Sequence, residues 1–153
     1  MAVFQFQREQ TFNCGPEKIW DFISSPKNLS FITPARLDFN IISPSLPEKI
    51  YPGLIIQYHV RPLFGIKTNW VTRISQVKNL EFFVDEQLKG PYKIWHHEHH
   101  LETLQNGHTK MIDIVTYEPP FRFLGSLANR LMLQNELKKI FDYRTEVLNE
   151  LFN

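Results

Sequence analysis

A single cysteine, Cys14, leaves this 153-residue chain unable to form an internal disulfide, so its fold rests on packing alone. A chain of this length buries roughly 68–70% of the surface its unfolded form exposes, which suffices without a disulfide or a structural metal. Cys14 precedes a helix start, where the dipole can activate a thiol, but with no second cysteine and no base in sequence context it reads as structural. Charge of one sign is also missing: 17 Lys and Arg meet 16 Asp and Glu for a net of +1, which excludes a general attraction to nucleic acid or an anionic membrane. No apolar run reaches the roughly 18 residues of a spanning helix, so stable membrane insertion is not expected. Met1 to Gln10 lacks the apolar stretch of a signal peptide, and the expectation is a cytoplasmic protein. Repeats, linkers and low-complexity segments are absent as well, which predicts one domain over residues 1–153. What the chain has in excess is aromatic: thirteen Phe, five Tyr and three Trp, 14% of the residues, more ring surface than core packing asks for and a hint of a lined cavity.

Residues 3–12 alternate Phe4 and Phe6 with polar partners, the period-2 mark of a half-buried strand. Gly15-Pro16 then opens a helix that buries Ile19, Trp20 and Ile23, since proline at the first helical position forfeits no hydrogen bond. Ser25 as N-cap and Pro26 start a second short helix around Leu29 and Ile32, stopped by Thr33-Pro34. From Arg36 to Tyr117, proline and glycine punctuate strands expected near 36–43, 54–62, 67–77, 81–88, 92–103 and 109–118. Short connections make them antiparallel neighbours in one meander. After Pro119-Pro120 the period becomes 3.6, with Leu124, Leu127, Leu131, Leu137, Ile140, Phe141, Leu148, Leu151 and Phe152 on the apolar side and Lys138, Lys139, Asp142, Arg144, Glu146 and Glu150 on the polar side. This predicts a helix from about 124 to 152, roughly 40 Å long. About seven antiparallel strands with their only large helix last, an α+β order, bury their apolar face by curling around that helix, and the interior left between them is a pocket.

Period 2 also sorts the residues that line it. In Tyr92 to Glu102, the set His96, Glu98, His100 and Glu102 is solvent-facing, so Trp95, His97, His99 and Leu101 face inward. A bulged hairpin through Gln105-Asn106-Gly107 pairs Leu104 with His108 and hence His99 with Asp113, and puts Met111, Val115 and Tyr117 inward too. A turn at Lys89-Gly90-Pro91 adds Phe83, Asp85 and Gln87 to that face, while Ile56, Tyr58 and Val60, then Trp70, Thr72 and Ile74, supply matching sets earlier in the sheet. The expected ligand-binding residues are Tyr58, Trp70, Asp85, Gln87, Trp95, His97, His99, Asp113 and Tyr117. An apolar pocket with a few convergent polar groups suits a small molecule.

The segments Pro26-Lys27-Asn28-Leu29 with Ile32-Thr33-Pro34, Tyr51-Pro52-Gly53, Asn69 to Ile74, Val84-Asp85-Glu86-Gln87 with Gly90-Pro91-Tyr92, Trp95 to His99, and Phe141-Asp142-Tyr143-Arg144 resemble the SRPBCC proteins. These form the helix-grip superfamily of START lipid-transfer domains, the birch-pollen allergen and the polyketide cyclase/dehydrases, and the chain is most similar to a bacterial branch of single-domain ligand-binding members over nearly its whole length. The resemblance implies an elongated hydrophobic cavity between the sheet and the last helix, holding a lipid, isoprenoid or polyketide-like molecule. It carries over no catalytic residue.

Rival readings attach to the same residues. His97-Glu98-His99 places two imidazoles on one strand face, where Asp113 across the ladder can complete two histidines and a carboxylate for a metal. A His–Asp hydrogen bond inside the cavity is the simpler outcome, so neither metal nor other cofactor is assigned. An Asp85 or Asp113 beside a histidine also suits acid–base work, which makes a cyclase, dehydratase or hydrolase the alternative to a carrier or sensor. Trp20 is expected in the core, Trp70 and Trp95 in core and cavity both. Residues 60–66 and 119–125 place apolar side chains beside Arg61 and Arg122 and read as a rim that closes the pocket. The sequence assigns no oligomeric state.

Overall fold

The computed structural model describes residues 3–120 and 127–153. β1, Phe4–Phe12, turns Phe4, Phe6, Arg8, Gln10 and Phe12 inward and their neighbours outward. α1, Pro16–Ile23, buries Ile19 and Trp20. The second short helix is a 3-10 turn over Pro26–Ser30; Ser25 takes the extended N-cap conformation, but its side chain makes no cap hydrogen bond. Cys14 is free and packs partly against the core beneath α1.

β2 (Asn40–Ile41), β3 (Ile55–Val60), β4 (Thr68–Lys78), β5 (Phe82–Lys89), β6 (Ile94–Thr103) and β7 (Thr109–Glu118) complete one antiparallel sheet in the order β1-β7-β6-β5-β4-β3-β2. The strand expected over 36–43 shrinks to Asn40–Ile41. Ala35–Leu37 form a 3-10 turn instead, and Asp38 sits at φ 48°, a left-handed conformation that no ladder continues. β4 shifts register between Val71 and Thr72 and again between Ile74 and Gln76. The second shift skips Ser75 and reverses parity, so that Val77 joins Ile74 on the core side. An extra residue on one strand bends it, and the sheet curves around the last helix.

That helix, α2, runs Leu127–Phe152, 26 residues and about 39 Å at a rise of 1.5 Å each. Leu133, Leu137, Phe141 and Leu148 are its buried stripe. Leu127, Leu131 and Leu151, expected on that stripe, are exposed instead. At 100° per residue, Leu127 and Leu131 lie roughly 240° and 200° around the axis from Leu133, on the far side. Leu124, the expected first turn, lies outside the described residues. Burying a Leu or Phe contributes about 1.5–3 kcal/mol, so the stripe supplies most of what docks α2. Arg8 adds an ion pair to Asp142 at 2.7 Å, and Gln10 Nε2 donates to the Thr145 carbonyl at 2.9 Å. Two core clusters result, one around Phe12, Trp20 and Leu148, the other around Val115, Tyr117, Leu137 and Phe141. Among the described residues, no helix is long and apolar enough to cross a membrane.

Candidate functional site

Where the two clusters meet, the sheet and α2 leave a cavity of about 150 Å³. Tyr58, Trp70 and Trp95 wall one end. Tyr58 stacks on Trp70 at 5.9 Å between centroids and Trp95 meets Trp70 edge-on at 5.4 Å. Phe83, Tyr92, Leu137 and Phe141 extend the apolar wall.

Pairing of β5, β6 and β7 sets the polar patch. Asp85 lies opposite His97, Phe83 opposite His99, and His99 opposite Asp113, the register that the Asn106-Gly107 turn predicts. His97 and His99 are buried, whereas His96 and His100 lie on the outer face with Glu86 and Glu98, at 3.1 and 2.8 Å. Inside, the two imidazoles and two carboxylates close a ring of contacts. His97 Nε2 and His99 Nδ1 meet Asp113 Oδ1 at 2.9 and 3.1 Å, while His97 Nδ1 and His99 Nε2 meet Asp85 Oδ2 at 3.5 and 2.7 Å.

Burial would raise the pKa of both aspartates, but the histidines, helped slightly at Asp85 by Arg144, together outweigh it; both carboxyls end below the usual range and stay ionised. Burial and the neighbouring His99 push His97 down. For His99, burial also pushes down, yet its bonds to Asp113 and Asp85 prevail and raise it. The two carboxylates thus favour the charged imidazole at His99, whereas burial and His99 disfavour it at His97. Burial likewise pushes the Tyr58 and Tyr92 phenols up, so both remain neutral, with Tyr58 Oη at 3.2 Å from Thr72 Oγ1.

Of the nine expected residues, Tyr58, Trp70, Asp85, Trp95, His97 and His99 line the cavity. Asp113 is buried behind the histidines and touches them without lining it. Gln87 turns away to the β5–β6 connection, where its Nε2 donates to the Tyr92 carbonyl at 2.6 Å and its Oε1 accepts from the Tyr92 N–H at 3.2 Å. Tyr117 packs in the core between Phe4 and Tyr92, because it lies opposite Trp95 on one side and Phe4 on the other. Of the expected rim, Val60 and Pro62 line the cavity and Phe64 and Ile66 are exposed; Phe121, Arg122, Phe123, Leu124 and Gly125 lie outside the described residues.

Arg144, placed on the polar side of the helix by the sequence, lines the cavity instead. It stands three residues after Phe141 and four before Leu148, both on the buried stripe, and that spacing is the signal that marks it. Its guanidinium lies over the Phe141 ring at 4.8 Å, and its Nε is buried with no hydrogen-bond partner among the described residues. Trp70 Nε1 is in the same condition. Both side chains line the one cavity.

No family model matches the sequence, and no curated protein matches it. Solved structures do resemble the fold. The Zhui aromatase/cyclase from Streptomyces sp. R1128 superposes with a TM-score of 0.74 at 15% identity, over 97% of this chain and 93% of that one. A START superfamily protein from Mycobacterium smegmatis gives 0.71 at 9% identity, over 97% and 96%. The major latex-like protein 151 of Panax ginseng gives 0.59 at 10% identity, over 91% and 95%. A curved seven-stranded antiparallel sheet gripping a long C-terminal helix, aligned with these proteins over nearly their whole length, gives this chain the START-like helix-grip fold.

Proposed function

We propose that this protein binds a compact amphipathic molecule in its cavity, as a carrier or sensor, with the molecule's rings or short branched chain among Tyr58, Trp70, Trp95 and Phe141 and its oxygen-bearing end towards Arg144. The observation that carries this reading is the pair of buried donors, Trp70 Nε1 and Arg144 Nε, that have no hydrogen-bond partner among the described residues, both on side chains that line the cavity. An orphaned buried donor costs about 1–3 kcal/mol, which a ligand acceptor recovers on binding. Size narrows the class. A space of about 150 Å³ is of the order that admits a benzene-sized guest, so one or two polyketide-type rings or a short isoprenoid suit it better than a long acyl chain.

Fluorescence of Trp70 and Trp95 reports on binding directly. Titration with naphthalene, 1-naphthol, 1-naphthoate and palmitate should give saturable one-to-one quenching by the ring compounds, with the oxygen-bearing pair about tenfold tighter than naphthalene. Failure of every ring compound to saturate, or saturation by palmitate alone, would refute it. A second reading, an enzyme acting on such a molecule, has the cavity-lining hydrogen bond of 2.7 Å between His99 and Asp85 in its favour. It requires that a supplied ring compound be chemically changed and that Asp85→Asn abolish the change while leaving quenching intact.

A further inference from the structure

His97, His99, Asp85 and Asp113 make four imidazole–carboxylate contacts, of which two are hydrogen bonds, His97 Nε2 to Asp113 Oδ1 at 2.9 Å and His99 Nε2 to Asp85 Oδ2 at 2.7 Å. Asp113 Oδ1 also lies 3.1 Å from His99 Nδ1, and Asp85 Oδ2 lies 3.5 Å from His97 Nδ1. A neutral imidazole carries one N–H, so with both N–H groups turned to Asp113 the nitrogens His97 Nδ1 and His99 Nε2 offer lone pairs towards Asp85 Oδ2, and three electron-pair donors converge as a cation requires. One donor atom from each of Asp85, His97 and His99 lies within 4.8 Å of the others. Ligands held roughly 2.0–2.1 Å from a tetrahedral zinc stand about 3.3–3.5 Å apart, within reach of small side-chain adjustments.

We infer that Asp85, His97 and His99 form a binding site for a divalent cation of the zinc type, with Asp113 as the outer carboxylate that orients both histidines. Two imidazoles and one carboxylate suit zinc or cobalt rather than calcium or magnesium, which prefer all-oxygen sets. A carboxylate on the outer ring nitrogen is the arrangement that fixes the tautomer of a metal-bound histidine, and here Asp113 Oδ1 is bonded to His97 Nε2 and stands 3.1 Å from His99 Nδ1. Packing fixes the rings further: Phe83 stacks on His99 at 3.9 Å with planes 15° apart, and Phe141 meets His97 edge-on at 5.6 Å. All three ligands line the cavity and Asp113 does not, so the cation's remaining position faces the cavity. In the metal-free protein the 2.7 Å hydrogen bond between His99 Nε2 and Asp85 Oδ2 spans the cation's place. The site asks nothing of the apolar walls and stands whether or not they hold a ligand.

The test is titration of chelator-treated, purified protein with Co²⁺ and Zn²⁺ alone. One equivalent of Co²⁺ should bind with the visible d–d bands of a four- or five-coordinate nitrogen and oxygen site, and one equivalent of Zn²⁺ should displace it. Asp85→Asn, which keeps shape, should weaken Zn²⁺ binding at least 100-fold, and Asp113→Asn about 10–100-fold. The double substitution His96→Asn with His100→Asn, on the outer face, should leave binding unchanged and rules on adventitious surface chelation. Should Asp85→Asn not fold, the imidazole Cε1–H resonances of the unaltered protein decide: His97 and His99 shift at one equivalent of Zn²⁺, and His96 and His100 do not. Absence of a stoichiometric Co²⁺ spectrum, or loss of binding in the outer-face double variant, overturns the proposal.

Discussion

At Arg144 the proposed ligand binding and stability pull in opposite directions. Its guanidinium lies over Phe141 in the cavity wall, and its Nε has no acceptor among the described residues. Replacing it with Met keeps the side-chain stem as far as the position of Nε and removes the orphaned donor, so Arg144→Met should stabilise the fold by about 1 kcal/mol, read as a higher midpoint of urea unfolding. The same variant should narrow the preference for 1-naphthol over naphthalene, having lost one of the two donors that favour an oxygen. Gly90 matters for a different reason. A Cβ there would run into the Gln87 side-chain amide, the group that holds the Tyr92 main chain at two points. Gly90→Ala should release that clamp at a cost of about 1–2 kcal/mol, visible as faster amide exchange at Tyr92.

At the scale of elements, α2 is held by its apolar stripe and by carboxylates that reach cations on itself and on the body of the protein. Lys138 at 2.8 Å and Arg8 at 2.7 Å hold the Asp142 carboxyl below its usual pKa. For Glu136, burial raises the pKa but bonds to Lys139 and Arg36 outweigh it and lower it. A carboxyl whose pKa is lower folded than unfolded adds stability above the unfolded value and loses it as pH falls through the folded one. The clamps between α2 and the body should therefore weaken below about pH 4, each worth less than about 1 kcal/mol because the pairs are partly exposed. Hydrogen exchange in α2 should accelerate over that range more than in β6, and Asp142→Asn should blunt the difference. Equal acceleration in helix and sheet would show that the clamps contribute nothing.

For the whole molecule, the sheet and α2 are each incomplete. Val115 and Tyr117 from β7 share a cluster with Leu137 and Phe141, and Phe12 from β1 shares one with Leu148. A chain ending at residue 126 should expose this sheet face, bind the dye ANS and elute as aggregate in size-exclusion chromatography. A monomeric, two-state truncated protein would contradict the helix's place in the core. The clusters flank the cavity without filling it, so a ring compound that binds there should raise the thermal midpoint in proportion to the logarithm of its concentration.

Elements and faces were legible in the sequence because they follow from local periodicity. Alternation placed His97 and His99 inward and His96 and His100 outward, and the Asn106-Gly107 turn set His99 opposite Asp113, since a turn's geometry fixes register within a few residues. Where the backbone departs from that regularity, tertiary structure decided. Asp38 in a left-handed conformation ended an expected strand, and Gln87 was drawn to the Tyr92 main chain across a connection longer than a tight turn. On α2 both Leu131 and Leu133 carry apolar side chains, and only contact with the sheet selects which stripe is buried; that selection turned Arg144 inward. The pairing of β1 with β7, the meeting of both aspartates with both histidines, and the volume left between the cores are long-range events, set by how the curved sheet closes on the helix rather than by any stretch of chain read alone.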